Sequence, residues 1–166
     1  MTRVLTRQEA EDLAYREALL LDRFDWPAWL ELYLEDAVFW VPAWRDESTP
    51  TADPDRELSL IFYQGRRSLE DRVWRIQSRQ SVASQPLPRT VHTVTNVLVE
   101  QAENDWGTVS AAFIVHRFDA RRERDHAFFG RYEYRLQSRD GAWRIAMKKI
   151  LLLNDIIPTV LDVYSV

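Results

Sequence analysis

The second half of the chain constrains the fold most. Four segments, residues 89–100, 106–118, 126–138 and 142–152, carry Val, Ile, Phe, Tyr and Thr at the density of β-strands. The runs between them, "ENDWG", "DARRERD" and "SRDG", are turn signals rich in Asp, Asn and Gly. The pattern predicts an antiparallel meander of four long strands.

The first half reads differently. Thr6 and Glu9 have the spacing of a capping box. Behind them Ala10, Leu13, Ala14, Glu17, Leu20, Leu21 and Phe24 recur at helical spacing, which predicts an amphipathic helix over 7–23. Asp25 then caps a shorter helix with Pro27 in its first turn. "AVFWVPAW" (37–44) reads as a strand that Pro42 pushes towards an edge or an ending, and "ELSLIFY" as a second short strand. A third helix begins at Ser68, with Leu69, Val73 and Ile76 as its buried stripe. The polar, Pro- and Asp-rich run 45–56 is expected to be an exposed, flexible loop. Helices first and a meander after them imply an α+β domain over 1–166. Three helices, mainly within 7–78, pack on a curved, cone-shaped antiparallel (mixed) sheet, the meander covers 89–152, and 153–166 forms a tail.

Several classes of function are excluded or disfavoured. The formal net charge is −4, without the basic stripe of a nucleic-acid binder. The chain has no cysteine, so it can hold no disulfide, thiolate nucleophile, Cys-bearing zinc site or iron–sulfur cluster by itself. No apolar run approaches the ~20 residues needed to span a bilayer, and the N-terminus lacks the apolar core of a signal peptide. A soluble, cytoplasmic protein is expected.

Only three histidines are present. On strict alternation His92 shares a face with Thr90, Val94, Asn96 and Leu98. If both following turns keep even register, His116 and His126 face the same way and three imidazoles could approach a metal, although no local ligand spacing supports this. A second reading makes His92, with Tyr63 or Tyr132, an acid–base set in the mouth of the cone. A third leaves His92 and Asn96 satisfying each other or nearby backbone on a half-buried strand. Two other features stay open. Seven Trp, six Tyr and seven Phe suit either subunit contacts or a large aromatic core. The apolar tail "NDIIPTVLDVYSV" must dock on its own domain or on another subunit.

The runs "LYLEDAVFWVPAWRDE", "ELSLIFY", "SLEDRVWRI", "PRTVHTVTNV" and "VLDVYSV" together resemble the small (β) subunit of aromatic-ring-hydroxylating dioxygenases of the benzoate/anthranilate group, from about residue 8 onwards. The resemblance implies a cone-like fold of the cystatin-like type, shared with scytalone dehydratase and nuclear transport factors. It implies a catalytic α subunit bearing a [2Fe–2S] Rieske cluster, mononuclear Fe(II) and the substrate pocket, commonly in an α3β3 hexamer that also joins copies of the small subunit. A separate NADH-dependent reductase supplies electrons, and both atoms of O2 enter the ring to give a cis-diol or, after loss of substituents, a catechol. The small subunit would contribute no catalytic, cofactor or metal residue. The missing cysteine agrees, because a Rieske cluster needs two cysteines and two histidines. Trp40, Trp44, Arg89, His92, Asn96, Arg117, Tyr132, Ile157, Leu161 and Tyr164 are the expected subunit contacts. The alternatives are a stand-alone cone-fold lyase or isomerase using His92, and a small-ligand binding module.

Overall fold

A computed structural model describes residues 2–166. Helix α1 spans Arg7–Asp22 and opens on the capping box. The Glu9 amide donates to Thr6 Oγ1 (3.3 Å) and the Thr6 amide to Glu9 Oε2 (2.9 Å). These bonds satisfy two of the donors that a helix start leaves free. Phe24, at a left-handed φ of 53°, turns the chain into α2 (Trp26–Glu31), whose first turn holds Pro27 and is capped by Asp25. Strands β1 (Tyr33–Pro42) and β2 (Ser59–Gln64) follow, then α3 (Arg66–Gln77). As expected, α3 buries Leu69, Val73 and Ile76.

The meander is present as β3 (Arg89–Glu103), β4 (Trp106–Asp119), β5 (Arg124–Arg139) and β6 (Ala142–Leu152). All six strands form one sheet in the order β2-β1-β6-β5-β4-β3. Among the described residues only β1 and β6 run parallel, so the sheet is mixed. β1 is therefore an interior strand, and Pro42 ends it at an irregularity beside β2. Gly130 on β5 is a packing requirement. A Cβ there would stand 1.9 Å from the Leu151 carbonyl oxygen and 3.1 Å from the Phe113 ring.

One sequence expectation needs correction. The strict alternation of β3 fails at Asn96. Thr95 pairs with Ala112 but Leu98 pairs with Ser110, so Asn96 and Val97 together oppose Ala111 in a β-bulge. Asn96 takes φ 54°, a left-handed conformation that Asn tolerates better than most residues. The bulge reverses the phase: His92 and Val97 point inward, while Asn96 and Leu98 are exposed. Residues 45–56 form a largely exposed loop, as expected, and it is anchored at its base. The Glu57 carboxylate accepts the amides of Ala52 and Asp53 and pairs with Arg45, which ties the loop to its own base and holds the Glu57 carboxyl down to about 2.

α1 lies on the concave face of the sheet and buries Ala10, Leu13, Ala14 and Leu21 there. Much of the aromatic load fills this core. Trp29, Tyr33, Phe39, Phe113, Phe128, Tyr132 and Tyr134 are all buried, with Phe113 stacked on Tyr132 at 4.2 Å.

Candidate functional site

The interior of the cone contains polar pairs that its apolar pattern concealed. The first joins the end of α1 to the start of β3. The Asp22 carboxylate accepts Thr90 Oγ1 (2.9 Å) and the His92 amide (2.9 Å), and lies 2.6 Å from His92 Nδ1. Burial works to raise the Asp22 carboxyl, but the bonds from His92 and Thr90 outweigh it and hold the group below its ordinary value. With Nδ1–H given to Asp22, Nε2 is the free nitrogen, and it is buried without a partner among the described residues. An imidazole oriented by a carboxylate has the form of a general base. Here, however, the His92 side chain is only 1% exposed, so no substrate reaches it without opening the fold.

The second pair lies deeper. Glu17, in the middle of the apolar stripe of α1, meets Lys148 of β6 (3.0 Å). Its carboxylate also accepts the hydroxyls of Tyr33 and Tyr134 and the Trp29 indole N–H. Burial opposes the charge, but Lys148 and the two tyrosines prevail, so Glu17 titrates below its usual range. Burial pulls the Lys148 ammonium down against the attraction of Glu17. The several donors converging on the carboxylate decide for the ion pair. Lys148 Nζ also sits 4.1 Å from the centre of the Tyr132 ring.

A third pair fixes the tail. Arg72 of α3 grips Asp162 through Nε (3.0 Å) and Nη2, while Ser84 Oγ donates to the same carboxylate and accepts from Tyr164. Val163, Tyr164 and Val166 are buried in the core. The last residues thus dock on their own domain, whereas Ile156 and Val160 stay exposed.

The structure does not assemble the other proposed sites. His92 faces Val115 across the ladder and His126 faces Arg117, both on the concave side. His116 pairs with Val91 and Ala127 and is exposed on the opposite face. Among the described residues, no three His, Asp or Glu side chains are placed to hold a metal ion. Nor does His92 bond either tyrosine: Tyr63 is on β2, at the far edge of the sheet, packed on Phe39, and the Tyr132 hydroxyl is buried with no hydrogen-bond partner among the described residues. Among the expected contacts, Tyr132 and Tyr164 are corrected outright, since each is 1% exposed inside its own core. Trp40, His92 and Arg117 are buried as well, and Trp40 is held by Ser59 Oγ (2.9 Å). Trp44, Arg89, Asn96, Ile157 and Leu161 retain accessible surface.

What the alternation concealed is an apolar row on the convex face. Ile114 and Phe129 stand opposite each other on β4 and β5, and Val91 of β3 is the diagonal neighbour, opposite His116 and two residues from Thr93, which faces Ile114. Leu153, whose amide donates to the Phe129 carbonyl (2.9 Å), continues the row past β6. All four are exposed, Val91 to 60% and Phe129 to 44%. The signal was in the sequence. "FIV" (113–115) and "FF" (128–129) place apolar residues on both faces of a strand, as in a sheet covered on both sides.

The ring hydroxylating beta subunit family model matches residues 16–159. The chain belongs to the ring hydroxylating beta subunit family. It is 42% identical to the 2-halobenzoate 1,2-dioxygenase small subunit of Burkholderia cepacia, over 92% of this chain and 91% of that one. It superposes on the beta subunit of the benzoate 1,2-dioxygenase of Burkholderia mallei with a TM-score of 0.82 at 34% identity, covering 99% of both chains. An NTF2-like protein with a cystatin-like fold from Novosphingobium aromaticivorans gives a TM-score of 0.62 at 19% identity, over 90% of this chain and 82% of that one, and shares the fold alone. As a beta subunit the chain is part of a multi-subunit ring-hydroxylating dioxygenase, and the expected α+β cone is the fold it has. A Rieske cluster does not fit its residues, which include no cysteine. No helix among the described residues is long and apolar enough to cross a membrane.

Proposed function

We propose that this chain is the non-catalytic, structural subunit of a Rieske-type dioxygenase acting on an aromatic carboxylate, and that it holds the catalytic subunits in register. The observation that carries the reading is the convex apolar row Val91, Ile114, Phe129 and Leu153, which lies on regular strands and is exposed in the single chain. Contiguous exposed apolar surface on a stable sheet marks a partner site. The interior, by contrast, is closed around its polar pairs. Trp44, beside Leu153 in an open cleft with Asp46, Glu47 and Asp155, together with Arg89, Asn96, Ile157 and Leu161, would form the rim of the contact.

The occupant of that face is the catalytic α subunit with further copies of this chain, in an α3β3 arrangement. The α subunit would bear the [2Fe–2S] cluster and the mononuclear Fe(II), and an NADH-dependent reductase would supply electrons to the cytoplasmic complex. The aromatic-acid substrate class is supported by the names of the 2-halobenzoate and benzoate relatives.

Co-expression with the α subunit, followed by light scattering on a sizing column, tests the proposal. The pair Ile114→Asp/Phe129→Asp should abolish the hetero-oligomer and leave the melting temperature of the isolated chain nearly unchanged, because neither side chain is in the core. An intact hetero-oligomer in that variant would overturn the assignment of this face.

A further inference from the structure

Among the described residues, the buried charges come in pairs, with one exception. Glu17 has Lys148, Asp22 has His92 and Asp162 has Arg72. Arg117, on the concave face of β4, is only 6% exposed yet has no carboxylate partner among the described residues. Its Nη1 donates to the neutral Thr159 hydroxyl (2.8 Å), and its Nε is buried with no acceptor. Arginine cannot shed its charge, and an unpaired buried ion is among the costlier features a fold can carry.

Arg117 is also one wall of a cleft of about 180 Å³ between the β4–β5 hairpin and the tail. Pro158 and Thr159 form the opposite wall, and His126, whose Nε2 is likewise buried and unpartnered, stands across the ladder from Arg117. Arg122 and Arg124 lie at the rim. Of the two acids there, Asp119 is engaged by Arg122 (2.9 Å) and by the amides of Arg121 and Arg122. Asp125 is exposed. Three arginines against two aspartates leave the cleft cationic in a chain of net charge −4.

We propose that this cleft binds a small carboxylate, received by the Arg117 guanidinium where, among the described residues, Thr159 makes the only side-chain bond. A planar anion with two oxygens matches the guanidinium edge. The cleft is smaller than the roughly 300–1,000 Å³ of drug-sized sites, which limits the ligand to a compact acid. Pro158 and the His126 ring, which packs against Phe128 at 4.6 Å, line the cleft beside it. The site does not depend on the assembly proposed above. The carboxylate could come from a free acid or from an acidic side chain of a partner subunit.

Calorimetric titration of the full chain with benzoate, acetate, benzamide and phosphate tests the proposal. Benzoate is expected to bind saturably and at least tenfold more weakly to Arg117→Gln, while neutral benzamide does not bind. Thr159→Asp, which supplies a carboxylate from the chain itself, should abolish benzoate binding and raise the melting temperature by about 2–4 °C. That variant keeps the test valid if Arg117→Gln does not fold. Benzoate binding that persists after assembly with the α subunit assigns the site to a free acid, and binding lost on assembly assigns it to a partner carboxylate. Absence of benzoate and acetate binding to the wild-type chain would overturn the proposal. So would tighter binding of phosphate, or a Thr159→Asp variant that melts lower.

Discussion

Glu17 and Lys148 allow the closed interior to be tested energetically. Both side chains are 1% exposed, so solvent does not screen their attraction. Glu17→Leu would strand the Lys148 ammonium and the hydroxyls of Tyr33 and Tyr134. Breaking a buried pair costs about 3–5 kcal/mol, and each stranded hydroxyl adds about 1–3 kcal/mol. The sum, about 5–11 kcal/mol, rivals the ~5–15 kcal/mol that holds a domain together, so Glu17→Leu should not accumulate as folded chain. Glu17→Gln keeps partners for the hydroxyls and should cost about 3 kcal/mol. Lys148→Met leaves Glu17 with Tyr33, Tyr134 and Trp29 as donors. It should cost a similar ~3 kcal/mol at neutral pH, and less in mild acid as the unpaired carboxyl takes up a proton. The double variant Glu17→Gln/Lys148→Met removes both charges and should lie within about 2 kcal/mol of wild type, because a neutral replacement of a buried pair is far cheaper than half of it. The four proteins can be compared by urea unfolding followed through tryptophan fluorescence. A coupling of at least ~2 kcal/mol is expected, and single-variant costs that add within ~0.5 kcal/mol would refute the reasoning.

Other outcomes follow from the same geometry. His92→Ala should destabilise the chain by about 1–3 kcal/mol, since it leaves Asp22 short of a donor, while turnover by the assembled enzyme stays within twofold of wild type; lost turnover in a folded, assembled variant would reinstate His92 as a base. Gly130→Ala should cost about 1–3 kcal/mol in urea unfolding, because its Cβ would overlap the Leu151 carbonyl. Stability should also fall in acid. Glu17 and Asp22 are held below their ordinary values of 4.5 and 3.8, so their contribution is present above those values and is lost as pH drops through and below them. A urea midpoint indifferent to pH between about 5 and 3 would contradict that sign.

The parts of the fold that local chemistry decides were readable from the chain. Thr6 and Glu9 make the capping box, Leu69, Val73 and Ile76 make the stripe of α3, and "SRDG" turns β5 into β6 through Asp140 and Gly141, both at positive φ. The parts set by register were not. A single left-handed residue, Asn96, changes which side chains of β3 face the core, and an Asn in a Val- and Thr-rich strand signals such a bulge only weakly. The partner of His92 was out of reach because Asp22 lies 70 residues earlier in the chain. Glu17 was visible as the one acid within an apolar stripe. Its base, however, could have been Lys148 or Lys149, and only the pairing of Lys148 with Tyr134 turns the former inward. The tail showed that it must dock, but not where, since its anchors Arg72 and Ser84 belong to segments that carry no mark of that role.

The three buried pairs share a property that bears on the work of a beta subunit. Asp22–His92 and Glu17–Lys148 join α1 to β3 and to β6, on either side of β4 and β5, and Arg72–Asp162 joins α3 to the tail. None links neighbours in sequence, so each is satisfied only when helix, strand and tail meet in one register. Buried ionic groups can select a unique arrangement even where an apolar replacement would be as stable. Such selection suits a subunit whose outer surface must keep its shape. The row from Val91 to Leu153 runs across β3, β4 and β5 and past β6, and a slip of one residue in any of these strands would turn its apolar side chains inward. The polar interior therefore acts on assembly through geometry. By this reasoning the Glu17→Gln/Lys148→Met variant, though nearly as stable as wild type, should bind the α subunit more weakly, even though neither residue reaches the interface.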